Sequence, residues 1–274
     1  MRLLAVVATT LFLVGCFQST ALVKVNADGS GTLEHRTTMT GAAAAQLRQL
    51  AGMFGQAGDK PIDPFSEEDA RVSATKMGEG VTLLSTTALK TLDAEGRANV
   101  YEFRDITKLR FDELLNGGGT MTPAGVRGSG NRGGIASANL TRTNQGNVLL
   151  TLHGPEPTLG RNLMPPGRPE LGGGIGAISA PPQMAMIRQM LGGMRMTLQI
   201  EPSGQLVRTS SPYVEGQRVT LLDLNIDELL KDDAIFFRLQ SAKTPDEMIS
   251  LLKDVPGLKV TLTPEITIEF APGK

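Results

Sequence analysis

The chain has 274 residues, 27 of them basic and 28 acidic, for a formal net charge of −1. Near-neutrality gives nucleic acid no electrostatic reason to bind, and an aromatic content of 4 % without Trp leaves no stacking platform for single strands or sugars. Gly (32) and Pro (16) are frequent enough that part of the chain is not expected to pack, and the single Cys excludes an internal disulfide.

Met1-Arg2 is a minimal positive start, and Leu3 to Leu13 is an uninterrupted run of apolar and small residues. That run falls short of the roughly 20 residues a helix needs to cross a bilayer, but it has the length of a signal-peptide core. Leu13-Val14-Gly15-Cys16 then matches the bacterial lipobox: Leu, a small or aliphatic residue, a small residue, Cys. Residues 1–15 are accordingly expected to be removed. By resemblance to that class of signal, Cys16 becomes the first mature residue and carries lipid, palmitate included. Each buried CH₂ contributes about 0.8 kcal/mol, so two or three acyl chains anchor a protein firmly where one does not. Phe17 and Gln18 follow, with no Asp at the position that, by resemblance, retains enterobacterial lipoproteins in the inner membrane. The expected location is the extracytoplasmic side of the envelope, on the outer membrane where the cell has one.

Residues 17–20 read as a short tether. Residues 21–39 read as a hairpin around Asp28-Gly29-Ser30-Gly31, since Gly accepts the positive φ that such turns require. Thr40 caps a helix over 41–54. Ser66 with Asp69 forms a capping box for a helix that reaches Met77 and stops at Gly78. Strands follow over 81–92 and 97–104, the second continuing through 106–115. Residues 116–135 are a Gly-rich insertion with too few large apolar groups to offset their ordering entropy. A hairpin is expected over 136–143 and 148–153.

Residues 154–182 are Pro/Gly-rich and read as a linker or long loop. A helix follows over 183–191. Met194, Met196, Leu198 and Ile200 alternate with polar residues as a half-buried strand does. Pro202-Ser203-Gly204 turns that strand back, 218–224 is another strand, and 227–240 is helical. Thr244-Pro245-Asp246-Glu247 opens a helix to Leu252, and Ile266, Ile268 and Phe270 alternate as a final strand. The organisation is thus an N-terminal α+β part over 16–153, the linker, and a C-terminal α+β part over 183–274 that shares its sheet. The expected fold class is α+β: antiparallel hairpins in one or two sheets, with amphipathic helices on one face. The segments around Asp28-Gly29 and Pro202-Ser203-Gly204 echo one another weakly.

Candidate chemistry is sparse. Two His, His35 and His153, supply a His/carboxylate metal site poorly, and acylation removes the only thiol. Gly128 to Gly133 fits G-x-G-x-x-G, but it lies in low-complexity sequence without the flanking strand and helix that phosphate binding needs. Asp223, Asn225 and Asp227 begin like a calcium loop, yet Glu228 stands where the sharp turn needs Gly and Ala234 where the bidentate Glu belongs. A loose cation site with Asp232 and Asp233 stays open. Met184, Met186, Met190, Met194 and Met196 are the sharpest cluster; thioethers bind Cu(I), but Met at this spacing is also what core packing demands. No G-x-S-x-G and no S-x-x-K is present. No catalytic residue and no cofactor is therefore assigned.

The lipobox, the Val-rich strand and Asp28-Gly29-Ser30-Gly31 together resemble an uncharacterised group of bacterial lipoproteins and are similar to the opening of LppM-type lipoprotein domains. Ser211 to Gly216 and Val219 to Leu222 share that resemblance. It implies an α+β envelope domain and transfers no catalytic residue. The expected function is a non-enzymatic, membrane-anchored binding or interaction module, held to the bilayer through Cys16 and recognising an envelope protein or an apolar ligand. The alternatives are an envelope hydrolase with loop-borne residues, which needs His35 or His153 against a Ser and a carboxylate, and a Met-rich copper-handling lipoprotein.

Overall fold

The structure is a computed structural model that describes residues 17–45, 48, 65–111, 114, 137–153, 188, 192–235, 238, 245–253, 255–261, 263 and 265–273. The lipobox, the Gly-rich stretch with its G-x-G-x-x-G, the 154–182 segment, Met184, Met186 and Met190 all lie outside the described residues.

The first hairpin is longer than its apolar pattern suggests. β1 covers Phe17–Val25 and β2 covers Gly31–Thr40, paired antiparallel from Phe17↔Met39 to Val25↔Gly31. The expected tether at 17–20 is therefore strand: Ser19 buries its side chain, and backbone pairing carries the polar Gln18 and Thr20 along. Between the strands, Asp28 Oδ1 accepts from the Ser30 N–H at 2.9 Å, and Gly29 takes φ +88°. Thr40 caps the following helical residues as expected, its Oγ1 accepting from Ala43 N at 3.3 Å.

Helix α1, Glu67–Met77, starts at Ser66, whose Oγ accepts from the Asp69 N–H at 3.0 Å and donates to Asp69 Oδ2 at 2.6 Å. Strands β3 (Thr82–Lys90) and β4 (Ala94–Phe103) meet at a turn over 91–93, earlier than the Asp93-to-Gly96 turn expected from the sequence. The second strand, expected to continue from 106, ends at Phe103. Asp105 caps a 3₁₀ turn, Ile106–Lys108, by accepting from Thr107 N, and so ends the strand.

β5 (Ser137–Arg142) and β6 (Val148–His153) form the expected hairpin. Then come β7 (Arg195–Pro202), β8 (Gln205–Thr209), β9 (Val214–Glu215) and β10 (Arg218–Asn225). The helix expected over 227–240 is broken. α2 spans only Ile226–Leu230, and Asp232 restarts a turn by accepting from the N–H groups of Ala234 and Ile235. An Asp side chain that bonds forward to backbone competes with helix propagation. α3 (Pro245–Lys253), β11 (Lys259–Val260) and β12 (Glu265–Ala271) complete the order.

The strands make two sheets. The larger has the order β11-β10-β7-β1-β2-β4-β3 with β9 beside β10, and the smaller runs β5-β6-β12-β8. Pairing is antiparallel except at the centre of the large sheet, where β1 and β7 run parallel from Gln18↔Arg195 to Val25↔Pro202. The expected antiparallel hairpins are present, but they do not account for this pair: hairpin signals are local, whereas a parallel pair is joined by a long crossover that leaves no local mark. The echoing segments are these two neighbours. Their following strands diverge, β2 staying in the large sheet and β8 joining the small one.

One face of the large sheet is apolar over its upper half, with Val23, Val25, Leu33, Tyr101, Phe103, Leu198 and Ile200. It shares a core with Val148, Leu150, Leu152, Ile266, Ile268 and Phe270 of the small sheet, and with Ala74 and Met77 of α1. A second cluster joins α2 and α3, and a third is Met39, Ala44 and Phe65 with Phe17 and Ala43 packed against them.

Candidate functional site

The lower half of that same inner face is polar. Because β1 and β2 pair around a fixed turn, Ser19, His35 and Thr37 share one face, and the β2–β4 register sets Asn99 opposite His35 and Arg97 opposite Thr37. His35 Nε2 lies 3.0 Å from Ser19 Oγ and 3.5 Å from Thr37 Oγ1. Ser19 and His35 are buried, and burial pulls the imidazole down to about 4. Next to them Arg97 Nη1 donates to Thr86 Oγ1 at 2.7 Å, and Thr86 Oγ1 donates to Asn99 Oδ1 at 2.7 Å. Arg97 Nε donates to the Phe65 carbonyl. Tyr101, beyond Asn99, is pushed up to about 12 by its burial. At the lower margin Arg48 holds Glu95 through two bonds of 2.7 and 2.9 Å, which keep the carboxyl below its usual range.

The set is a polar ladder across four strands, made of two hydrogen-bonded groups: Ser19, His35 and Thr37 on β1 and β2, and Thr86, Arg97 and Asn99 on β3 and β4. A neutral imidazole beside a hydroxyl has the outline of a nucleophile and its base. Two parts are missing for hydrolysis. Among the described residues no carboxylate bonds His35, and its partners are the hydroxyls of Ser19 and Thr37. Ser19 is also only 4 % exposed, inside a paired strand. The arrangement satisfies buried polar groups and so defines which residues pack in the lower sheet.

The other sequence candidates are dispersed. His153 stands at the end of β6 with Nδ1 3.9 Å from Glu265 Oε2, both well exposed. The calcium-like triplet is structural. Asp223 grips Arg195 at 3.0 and 2.9 Å, Asn225 caps α2 by accepting from Asp227 N, and Asp227 accepts from Gly193 N. Asp233 pairs with Arg188 at 2.6 Å and Asp232 caps its turn, so neither faces a common cation. Met194 and Met196 pack on the cluster of Leu224, Ile226 and Leu229. Among the described residues no group of three His, Cys, Asp or Glu is placed to hold a metal, and no helix is long and apolar enough to cross a membrane.

A cleft of about 210 Å³ opens at the far end of β1, β2 and β7, lined by Lys24, Asn26, Gly31, Thr32, Glu201, Pro202 and Ser203. It is smaller than the roughly 300 Å³ at which small-molecule pockets begin. Its charges are already matched, Lys24 by Glu34 and Glu201 by Arg218, each at 2.6 Å.

The candidate attachment point is fixed by the chain itself. Phe17 opens β1, so Cys16 is bonded directly to the central region of the large sheet, whatever its own conformation. The polar ladder was not singled out from the sequence, although the Asp28-Gly29 turn sets the register that pairs Ser19 with Thr37.

No family model matches the chain, and no curated protein matches it. Among solved structures, the NMR structure of the folded domain of Mycobacterium tuberculosis LppM is similar, at 13 % identity and a TM-score of 0.30, over 79 % of this chain and 86 % of that one.

Proposed function

We propose that this chain is a bacterial envelope lipoprotein, acylated on Cys16 and held to the membrane on its extracytoplasmic side, whose folded part is a non-enzymatic binding module. The observation that carries the anchor is positional. The only Cys of the chain ends Leu13-Val14-Gly15-Cys16, behind an apolar run of signal-peptide length. The non-enzymatic part of the reading is supported by how the ladder uses its hydroxyl and imidazole groups, which bond each other inside the sheet rather than converge on an open cleft. The proposal takes the fold as α+β with helical segments on the inner face of the large sheet, in keeping with Ala74 and Met77 of α1 in the shared core.

The test is metabolic labelling of the full chain with radioactive palmitate, followed by fractionation. The native chain is expected to take up label and sediment with membranes. Cys16→Ser is expected to do neither, while folding as before. A native chain that stays unlabelled overturns the reading.

A further inference from the structure

Resting on the anchor reading, we propose that the end of the large sheet where β1 begins is a membrane-contacting surface. Its occupant is the phospholipid bilayer, and the Leu92 side chain enters the headgroup layer. The argument begins from covalent geometry. Consecutive Cα atoms are 3.80 Å apart, so no residue separates an acylated Cys16 from the start of β1 at Phe17. Phe17 is level with Met39 on β2, and Met39 is level with Glu95 on β4. Phe17 and Glu95 are therefore two strand spacings apart, roughly 10 Å. Past Glu95, in the direction in which β1 leads back to Cys16, lie Ala94 and the β3–β4 turn.

Leu92 is on that turn, roughly 6–7 Å beyond the level of Phe17. It is 103 % exposed, whereas the other exposed large apolar side chains among the described residues, Val72, Leu84, Val207 and Val214, range from 42 to 56 %. The turn that holds it is well braced. Thr91 N donates to the Ala94 carbonyl at 2.8 Å, Ala94 N donates to Thr91 Oγ1 at 3.0 Å, and Gly41 N donates to the Asp93 carbonyl at 3.1 Å. That last bond brings the exposed, uncharged start of the helix, Gly41 and Ala42, to the same end. The cluster of Met39, Ala44, Phe65 and Phe17 lies behind it. A side chain that projects beyond the level of Phe17, two strands from the residue next to the lipid, is held near the headgroups; an apolar group gains by entering that layer, whose boundary region is about 5–10 Å deep.

The experiment uses the full acylated chain in vesicles of phosphatidylethanolamine and phosphatidylglycerol. A thioether-linked Cys16 does not react with maleimides, so a cysteine introduced as Leu92→Cys or Ser203→Cys is a unique site for an environment-sensitive fluorophore. Ser203 is exposed at the opposite end of the sheet, next to the Val25↔Pro202 pair. The probe at 92 is expected to shift to the blue and to be quenched roughly twofold or more by a nitroxide carried on the lipid, and the probe at 203 to do neither. Intact mass reads the acyl group separately. Acylated protein whose probe at 92 stays water-like overturns the membrane-contact proposal and leaves the anchor intact. The same holds if a crosslinked protein, not lipid, covers position 92. A chain without the acyl mass overturns the anchor and this proposal with it.

Discussion

Ser19 Oγ and His35 Nε2 lie 3.0 Å apart on neighbouring strands, both covered from solvent, with Thr37 Oγ1 a further partner at 3.5 Å. This contact spans the hairpin that begins one residue after the proposed lipid attachment.

Removing the hydroxyl leaves the ring nitrogen with only the longer contact. Ser19→Ala is expected to cost about 1–2 kcal/mol in urea unfolding, the penalty of a buried group that loses its partner. In a His35→Leu background the same change is expected to cost less, with a coupling above roughly 0.5 kcal/mol. Additive losses would show that the pair is adjacent but not bonded.

The imidazole also sets a pH dependence. Its pKa falls from 6.5 to about 4 because burial disfavours the charged form. Between those values the unfolded chain binds a proton that the folded chain does not. The contribution is therefore whole above pH 6.5 and is lost as pH falls through the window to 4. At about 1.36 kcal/mol per unit, the loss from pH 7 to pH 5 is roughly 2 kcal/mol. Unfolding curves of the native chain and His35→Gln at pH 7, 6 and 5 measure it. The native chain alone should weaken. Glu95, held low by Arg48, and Glu269, held low by Asn147 and then Arg208, lose their contributions only as pH falls below their ordinary value of 4.5, under the pH 7 to 5 window.

The same geometry predicts silence toward serine-directed chemistry. Incubating the folded chain with a fluorophosphonate should leave Ser19 unmodified by mass spectrometry, because the hydroxyl is covered and, among the described residues, no carboxylate bonds His35. An adduct on Ser19 that a His35→Ala change abolishes would establish a nucleophile and revive the hydrolase alternative.

Two glycines of the first hairpin should respond differently. A Cβ on Gly31 would stand 1.9 Å from the Lys24 carbonyl oxygen and 2.6 Å from Phe103 Cζ, so Gly31→Ala must part β1 from β2. A loss above about 3 kcal/mol is expected, at the upper end for overpacking. Gly29→Ala meets only the flexible end of Leu140 at 3.1 Å, but must hold φ +88°, and should lose about 1–2 kcal/mol. Thermal melts of the two variants rank them, and the reverse order would refute the packing argument.

Much of the fold was legible because its signals are local. Asp28-Gly29, Ser66 with Asp69, and Asn144 to Asn147 each bond their own neighbourhood, and the turns and caps formed where those residues stand. Misreadings arose where a side chain did two jobs. Asp105 and Asp232 cap turns that interrupt an otherwise continuous apolar pattern. The Phe17–Thr20 segment reads as a tether because its polar residues carry no hydrophobic alternation, yet Gln18 to Thr20 pair on both sides. Of the candidate site, the hairpin register was available from the turn, but the partners on β3 and β4 were not.

Residue chemistry near the N-terminus was enough, without any fold, to raise the lipid-anchor proposal, because a lipobox is a contiguous pattern read as an extended peptide. The alternation of Ile266, Ile268 and Phe270 and the capped start of α1 were equally self-contained. Tertiary structure alone decided that β7 lies parallel to β1, that His35 stays neutral, and that Leu92 projects at the end where the chain enters the sheet. These depend on pairings between segments up to some 180 residues apart. Such pairings form when apolar faces from distant strands close over one another, and no local sequence pattern encodes which faces will meet.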